Sequence, residues 1–303
     1  MLGAPVLRLG VDLGGTKTAI TVLDADRKQR LSQRAATPVG AYESALTELS
    51  QTILAAERAA GSPCSVGIGM PGAASARTGL VKNAHNTVFN GRPLQADLER
   101  LLAREVRIAN DANCFALSEA IDGAARGAHV VFGAILGTGA GGGIVVGGRV
   151  VEGRNQVGGE WGHNPLPWMS PGEYPGPRCY CGQQGCIEQF VSGPALERDH
   201  AASTGQTLDP ARIVEEAAQG NTACEAALRR YEDRLARALA HVVNLLDPDV
   251  IVLGGGLSNV SRLYANVPAL LPRFVYSATV DTPVVRAAHG DASGMRGAAM
   301  LWP

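Results

Sequence analysis

The stretch VLRLGVDLGGTKTAITVLD, residues 6–24, decides the fold class of this chain. Apolar residues alternate with polar ones on both sides of the Gly14–Gly15 pair, which predicts two β-strands joined by a tight turn. Two glycines at the tip let main-chain N–H groups approach an anion closely, because no Cβ intervenes. Thr16 adds a hydroxyl donor and Lys17 a positive charge. We therefore interpret the turn as a phosphate-binding hairpin rather than an ordinary one.

A related pattern returns 123 positions later, where GAILGT (133–138) can be laid on GVDLGG (10–15). Each segment is followed by small residues and a second apolar strand, TAITVL in one and GIVVGG in the other. The Gly137–Gly139 turn has the pattern of the first turn without its charges, and Gly254–Gly256 supplies a third glycine turn at a strand end. Three such turns indicate a nucleotide held between two similar lobes.

Strands and helices alternate along the remainder of the chain, which predicts an α/β protein. The apolar residues have helical spacing in segments 42–60, 93–104 and 225–246. Short apolar strands are predicted at 65–72, at VRIAND (106–111) and at VIVL (250–253), and NCFALSEAI (113–121) reads as a helix.

The composition limits the class of protein. With 303 residues, 46% of them hydrophobic, the chain can build two cores of ordinary size. The formal net charge of -1, with scattered basic groups, lacks the basic excess of a nucleic-acid binder. The chain opens without a basic n-region, and its apolar runs are far shorter than the ~20 residues of a membrane helix. Six cysteines, three of them bunched, fit a reducing compartment. We expect a soluble cytoplasmic protein without nucleic-acid or membrane partners.

Asn110-Asp111 stands at the end of a predicted strand and opens a predicted helix. A lone aspartate at such a boundary is most simply an N-cap. The functional interpretation is a carboxylate at the carboxyl end of a strand, where chemistry in α/β folds is usual. Phosphoryl transfer to a hydroxyl needs such a base near the acceptor.

Three cysteines in RCYCGQQGCIE (178–188) are one ligand short of a tetrahedral zinc site. Sixteen residues before Cys179, the loop GEWGH (159–163) contains His163, the nearest upstream histidine. A Cys3His set is an established structural zinc site, so His163 is the best candidate for the fourth ligand. In the same loop, Glu160 and His163 also suit a ligand with several hydroxyls, because a carboxylate accepts hydrogen bonds and an imidazole can donate or accept.

DLGGTK, NDANC, GEWGH and CYCGQQGCIE, in this order and spacing, resemble the ROK family of bacterial sugar kinases (repressor, open reading frame, kinase). The resemblance implies a two-lobed actin/hexokinase-like (ribonuclease H-like) α/β fold with a small structural zinc knuckle. It also implies a first lobe over residues 1–118, completed by a segment of about 288–303, and a second lobe over 119–287 that carries the zinc loop. GEWGHNPLPWM and the HGDASGMRGAA…LWP ending look most like bacterial fructokinases, also called mannokinases.

The resemblance assigns roles to residues that match the family's motifs. The implied reaction is transfer of phosphate from ATP, with Mg²⁺, to the C6 hydroxyl of a hexose, fructose or mannose first, and Asp111 is the implied base. The implied ATP-binding residues are Asp12 (also near magnesium), Gly14, Gly15, Thr16, Lys17, Gly137, Thr138, Gly139, Gly255 and Gly256. The implied sugar-binding residues are Gly72, Asn83, Asn110, Asp111, Glu160, His163 and Glu188. The implied ligands of the structural zinc are His163, Cys179, Cys181 and Cys186.

Several alternatives stay open at this point. An asparagine of VKNAHNT is implied to contact the sugar, and the choice within residues 83–86, which also include His85 and Asn86, is not determined by the sequence. N-acetylglucosamine kinase or glucokinase of the same family is the alternative activity, and a non-catalytic sugar sensor is the alternative of another class. A sugar-responsive repressor is not expected, since only about nine residues precede the first hairpin. A zinc-ribbon module is not expected either, because the other three cysteines are isolated. The resemblance further implies a homodimer.

Overall fold

A computed structural model describes residues 7–84 and 87–303 of the chain. The strands are β1 (Leu7–Leu13), β2 (Lys17–Leu23), β3 (Gln29–Ala36), β4 (Cys64–Met70), β5 (Ala73–Ala74), β6 (Val81–Lys82), β7 (Val106–Asn110), β8 (Val130–Leu136), β9 (Ala140–Val146), β10 (Arg149–Val150), β11 (Val250–Gly254) and β12 (Val284–Arg286). The helices are α1 (Tyr42–Ala60), α2 (Leu94–Leu102), α3 (Asp111–Ile121), α4 (Glu188–Val191), α5 (Gly193–Thr204), α6 (Pro210–Ala218), α7 (Thr222–Leu246), α8 (Leu263–Leu270) and α9 (Ser293–Ala299). His85 and Asn86, two of the candidate sugar contacts, lie outside the described residues.

Two five-stranded sheets share one topology. The first has the order β3-β2-β1-β4-β7 and the second the order β10-β9-β8-β11-β12. In each, the first three strands of that order pair antiparallel and the last three pair parallel. The predicted α/β class is confirmed, and so is the internal repeat. Strands β1 and β8 begin and end 123 positions apart, as do β2 and β9.

The predicted helices and strands lie close to their expected bounds. Helix α1 coincides with the predicted segment 42–60, and α2 is three residues shorter than predicted. Helix α7 begins at Thr222, three residues before the prediction, because the Asn221 side chain caps it by accepting from the N–H groups of Ala223 and Cys224. An apolar stripe does not reveal such a polar first turn.

Each sheet has its own hydrophobic core, and a third cluster lies where α3 meets both. Leu9, Val11, Ile53 and Ile68 are fully buried in the first core, and Phe132, Leu235, Leu239 and Ile251 belong to the second. In the third, Phe115 and Ala116 of α3 pack with Leu23, Val252 and Met300. Across the described residues, no helix combines the length and the apolar character needed to cross a membrane.

Helix α3 lies between the two sheets, where it contacts α9 and β4 on one side and β8 and β9 on the other. The approach of α9 is very close, since a Cβ at Gly297 would lie 1.7 Å from the carbonyl oxygen of Cys114. Only glycine allows this contact. The predicted boundary between the lobes, at 118/119, falls inside α3, and a division at that point stays a prediction.

The end of the described chain returns to the first sheet. Trp302 Nε1 donates to the carbonyl oxygen of Val66 at 2.8 Å. The guanidinium of Arg107 lies 4.0 Å over the Trp302 ring and donates to the Leu301 carbonyl oxygen at 2.6 Å. The segment after β12 therefore completes the packing of β4 and β7.

A buried carboxylate fixes this returning segment to α3. Glu119 is fully buried and accepts hydrogen bonds from the backbone N–H groups of Ala124 at 2.8 Å, Ala288 at 2.9 Å and His289 at 3.2 Å. The hydroxyl of Ser293 donates a fourth at 2.7 Å. A buried carboxylate needs this degree of hydrogen bonding, so the arrangement ties the start of α9 to the helix between the sheets.

Candidate active site

A cavity of about 700 Å³ opens between the two sheets, at the carboxyl ends of the parallel strands. The sequence-predicted residues in its wall are Gly72, Asn83, Asn110, Asp111, Gly137, Thr138, Gly139, Glu160, His163 and Glu188. All seven predicted sugar-binding positions therefore line one space. Cys181, a predicted zinc ligand, lines it as well, as do Val157 and Tyr180. Tyr180 lies within the cysteine-rich stretch but was not itself predicted, and nothing in the sequence context of Val157 pointed to a site.

Asp111 is positioned by the residue before it. The side chain of Asn110, and not of Asp111, caps helix α3 by accepting from the N–H groups of Ala112 and Asn113. The N-cap interpretation of Asp111 is therefore wrong: Asp111 is the first helical residue. The amide of Asn110 also donates to the Gly72 carbonyl oxygen at 3.2 Å, so a single side chain joins the start of α3 to the segment that follows β4.

The surroundings of the Asp111 carboxylate suit a general base. Burial raises its pKa, against the lowering effect of the hydrogen bond from the Ala112 N–H at 2.8 Å. A carboxylate whose pKa is raised toward neutrality takes up a proton more readily than an exposed one. Its position at the C-terminal end of β7 is the position predicted for a base.

Asp12 forms an electrostatic pair with Asp111. Burial, and next the negative charge of Asp111, raise the pKa of Asp12 to about 6, while Arg34 acts in the opposite sense. Two neighbouring carboxylates that repel each other suit a divalent cation, and carboxylate oxygen is the ligand type that magnesium prefers. The donor set therefore fits the implied magnesium site.

The hairpin tip after Asp12 lies apart from the cavity. Gly15, Thr16 and Lys17 are exposed, and the turn is closed by a hydrogen bond from the Gly14 N–H to the Lys17 carbonyl oxygen at 3.1 Å. These four residues line neither this cavity nor the one described next. Asp12 also lines neither cavity, but it lies close enough to Asp111 for the charge of Asp111 to raise its pKa.

A second cavity of about 680 Å³ adjoins the first through Gly137 and Thr138, which line both. Its other walls come from the segments that begin α5 and α6 and follow β11, namely Gly193, Pro194, Glu197, Asp209, Pro210, Ala211, Val214, Gly256, Leu257, Asn259 and Val260. Apolar walls with a few polar groups suit a nucleoside. Apart from Gly256, these residues were not predicted from the sequence, because apolar residues on helices are typical of a core and isolated polar ones are typical of a surface.

The predicted Gly255–Gly256 pair is divided between two spaces. Gly256 lines the second cavity, whereas Gly255 lines a separate depression of about 430 Å³ together with Arg286 and His289. Gly255 has φ +79°, and a Cβ there would lie 2.5 Å from the Leu136 carbonyl oxygen. Only glycine allows the chain to turn this close to β8.

Glu160 and Glu188 form the acidic end of the first cavity. Burial is the main cause of the raised pKa of Glu160. His163 lowers that pKa, and the charges of Asp111 and Glu188 raise it. Glu188 is buried and accepts from the Ala140 N–H at 3.1 Å. The two carboxylates present acceptors for several sugar hydroxyls at once.

The cysteine cluster has the dimensions of a zinc site. One ligand atom from each of His163, Cys179, Cys181 and Cys186 lies within 4.8 Å of all the others. His163 Nδ1 is 3.6 Å from Cys179 Sγ, and Cys181 Sγ is 3.6 Å from Cys186 Sγ. Tetrahedral zinc with bonds of ~2.3 Å to sulfur separates its ligands by about 3.8 Å. The residues present therefore fit the implied structural zinc.

Backbone pairing joins this knuckle to the GEWGH loop. The Leu166 N–H donates to the Gly185 carbonyl oxygen and the Ile187 N–H to the Asn164 carbonyl oxygen, both at 2.8 Å. These backbone bonds hold the two segments together independently of any metal ion. The pairing places His163 and Glu188 on neighbouring segments at one end of the cavity.

Comparison with known proteins agrees with this geometry. The model of the ROK family matches residues 8–303. An N-acetyl-D-glucosamine kinase from Escherichia coli O6:H1 is 40% identical over 296 residues, which cover 96% of this chain and 98% of the relative. A ROK hexokinase from Thermus thermophilus has a TM-score of 0.86 at 33% identity, covering 97% of both chains. A ROK glucokinase from Streptomyces griseus, solved with glucose and AMPPNP, has a TM-score of 0.79 at 30% identity over 97% of this chain and 98% of its own.

These relatives, together with the two-lobed fold and its cavity, place the chain among the sugar kinases. Within that class, the chain belongs to the ROK family, which confirms the resemblance read from its motifs. The relatives described here are named for N-acetylglucosamine, hexose and glucose. The expected preference for fructose gains no support from them and stays a prediction.

Proposed function

We propose that this protein transfers the γ-phosphoryl group of MgATP to the C6 hydroxyl of a hexose, with fructose and then mannose as preferred acceptors. One observation carries the proposed chemistry. Asp111 lies in the wall of the cavity that also contains the Gly137–Gly139 turn and the sugar-facing carboxylates. Base, acceptor site and phosphate turn therefore meet in one space.

Asp111 is the proposed base in an in-line transfer. Its carboxylate takes the proton of the C6 hydroxyl as the oxygen attacks the γ-phosphorus. The new O6–P bond forms while the bond from the γ-phosphorus to the β,γ-bridging oxygen breaks, and ADP leaves with that oxygen. Burial, which raises the pKa of Asp111, makes its carboxylate a stronger proton acceptor than an exposed one.

The other proposed contacts divide the substrates between the two cavities. The hexose occupies the first, with its hydroxyls on Asn110, Glu160 and Glu188, and the adenosine occupies the second, where Gly256 lines the wall. The backbone of the Gly137–Gly139 turn, common to both spaces, faces the phosphates. Closure of the two lobes would exclude water, the competing acceptor.

Asp12 is the proposed magnesium ligand at this junction. When bound, the ion neutralises phosphate charge during the transfer. The Asp12 carboxylate must be ionised to bind the ion, and its pKa of about 6 leaves it ionised at neutral pH. Lys17 and Thr16, on the exposed turn, remain proposed phosphate contacts that require lobe closure.

The proposed zinc is structural. Its ligands would be His163, Cys179, Cys181 and Cys186, whose spacing supports a tetrahedral ion. Held in this way, the knuckle keeps His163 and Glu188 at one end of the sugar cavity. The ion would take no part in the transfer itself.

The choice of acceptor rests on motif resemblance. GEWGHNPLPWM and the HGDASGMRGAA…LWP ending support fructose and mannose. The name of the E. coli relative, 40% identical, supports N-acetylglucosamine as the second candidate. These acceptors differ in the part of the sugar remote from C6, so the mechanism above applies to each.

A coupled ADP-release assay with four sugars side by side tests the proposal. We expect kcat/KM to be highest for fructose, then mannose, with glucose and N-acetylglucosamine lower. A higher value for N-acetylglucosamine than for fructose would reassign the acceptor. ADP release that does not depend on any sugar would reject the kinase activity and favour a sugar sensor.

The expected homodimer is part of the same proposal. It rests on the family resemblance, and sedimentation velocity at micromolar concentration tests it. A mass near 63 kDa, twice the 31.4 kDa of one chain, is the expected result. A single species at the chain mass would contradict it.

A further inference from the structure

Tyr180 stands between two of the cysteines in the knuckle and lines the sugar cavity. Its hydroxyl lies 3.0 Å from Nε2 of His163, and the two rings meet edge to face with centroids 5.1 Å apart. The other ring nitrogen, Nδ1, faces Cys179 Sγ at 3.6 Å. One nitrogen of His163 is thus directed to the cysteine cluster, and Tyr180 holds the other.

The Tyr180 hydroxyl therefore contacts His163 Nε2, the atom that a sugar hydroxyl would otherwise approach. Nε2 is the only ring nitrogen of His163 left for the cavity once Nδ1 serves the cluster. The Tyr180 ring is two-thirds exposed, at 67%, so it forms a wall of the open cavity rather than part of a core. A wall built from one aromatic side chain can be removed by a single substitution.

The chemistry of the substrate identifies the part of the sugar that meets this wall. If the C6 hydroxyl lies at Asp111, the ring carbon that carries C6 is C5. In a pyranose, C5 lies directly across the ring from C2. The substituent at C2 therefore points away from Asp111, toward the opposite end of the cavity.

The positions of the wall residues give the same order. Asp111 follows strand β7 of the first sheet. Tyr180 lies at the end formed by the knuckle and the GEWGH loop, since its hydroxyl is 3.0 Å from His163 Nε2 and the backbone bonds at Asn164 and Leu166 hold the two segments together. Tyr180 therefore belongs to the end formed by Glu160, His163 and Glu188, which the C2 substituent approaches.

We propose that Tyr180 determines specificity among aldohexoses by limiting the size of the group at C2 of the pyranose, so that a hydroxyl is admitted and an acetamido group is disfavoured. Fructose, whose free C6 hydroxyl belongs to the furanose form, lies outside this comparison. An acetamido group would have to displace the tyrosine ring from His163, which breaks the hydrogen bond and the edge-to-face contact. Such a steric barrier lowers kcat/KM only for the substrate with the larger group at C2. This inference rests on the proposed function, since it takes C6 as the reacting position.

Glucose and N-acetylglucosamine make the sharpest pair of substrates, because they differ only at C2. We would measure kcat/KM for both with the wild type, Tyr180→Phe and Tyr180→Ala. In Tyr180→Ala we expect the ratio of N-acetylglucosamine to glucose to rise at least ~10-fold. In Tyr180→Phe, which keeps the ring, we expect the ratio to stay within ~3-fold of the wild type. Tyr276→Ala, which removes a fully exposed tyrosine, is the matched control and should leave the ratio unchanged.

Three readouts separate the outcomes. Zinc content, by metal analysis, should stay at one ion per chain in every variant; if Tyr180→Ala loses zinc, Tyr180→Val is measured in its place. Dissociation constants for the two sugars, by calorimetry, give the same ratio without turnover. A wild type that binds sugars but phosphorylates none rejects the proposed function, and the binding ratio then decides the role of Tyr180.

An unchanged ratio in Tyr180→Ala with full zinc content overturns the inference. So does a wild type that already prefers N-acetylglucosamine over glucose, because the wall would then exclude nothing. A rise in Tyr180→Phe equal to that in Tyr180→Ala would assign the effect to the hydroxyl on His163 and reject the steric explanation.

Discussion

Replacing Asp12 by asparagine should stabilise the fold while it removes a proposed magnesium ligand. The pKa of Asp12 is raised from its ordinary value of 3.8 to about 6, by burial and by the charge of Asp111. Both causes act on the ionised carboxylate, and an asparagine of the same shape carries no charge. The wild type therefore holds an unfavourable charge that the variant lacks.

The size of the effect follows from linkage. A raised pKa for a carboxylate means that the folded state binds the proton more tightly than the unfolded state, so stability falls as pH rises from about 4 to about 6. A displacement of roughly two pKa units corresponds to at most about 3 kcal/mol above pH 7. The asparagine amide still has to be buried, so we expect Asp12→Asn to gain about 1–3 kcal/mol at pH 8. At pH 5 the gain should be about half as large.

Urea denaturation followed by circular dichroism at pH 5 and pH 8, without added magnesium, measures this difference. Magnesium is left out because an ion bound to the wild type would stabilise it and mask the repulsion. Asp26→Asn, at an exposed position in the turn after β2, is the matched control and should change stability by less than ~0.5 kcal/mol at either pH. An Asp12→Asn protein no more stable than the wild type at pH 8, or a gain equal at both pH values, would refute the reasoning.

Three further changes test other parts of the site. Asp111→Asn should lower kcat by ~10²–10⁴-fold with the hexose KM within ~3-fold, and steady-state kinetics showing near-normal kcat would reject the assignment of the base. Removing zinc with a chelator should weaken hexose binding measured by calorimetry before circular dichroism detects unfolding, and unchanged affinity in metal-free protein would contradict the role of the knuckle. Gly255→Ala should destabilise the protein by about 2 kcal/mol or more in urea denaturation, because its φ is +79° and the new Cβ would lie 2.5 Å from the Leu136 carbonyl oxygen; a stability equal to that of the wild type would show that β8 yields at no cost.

Most of the fold could be predicted because short sequence patterns determine its strands, turns and helices. The first hairpin and its repeat carry alternating apolar residues and a glycine tip, and both sheets begin with strands at the expected offset. Capping was harder. Asn110 and Asp111 are adjacent and both can cap, so only the observed hydrogen bonds distinguish them.

The proposed sugar end of the site was predictable from motifs, whereas the proposed nucleoside end, apart from Gly256, was not. The motifs contain three polar residues in glycine- and cysteine-rich loops, namely Glu160, His163 and Glu188. A polar side chain in such a loop indicates a binding role. Pro194 and Val214 are apolar residues on helices, which burial in a core explains equally well. Their common cavity depends on how α5, α6 and the segment after β11 pack, a tertiary property that no local pattern contains.

The route of the chain through the fold has a consequence for biosynthesis. Helix α9 and Trp302 pack on strands β4 and β7, yet the ribosome makes them only after the whole second sheet. Until then the emerging first sheet lacks its covering helix, and Glu119 lacks three of its four hydrogen-bond donors. The first lobe therefore cannot complete its packing, and keeps apolar surface exposed, until the second has been synthesised. A ribosome that stops before residue 288 leaves a nascent chain in which the first lobe is unfinished and exposed to chaperones and proteases.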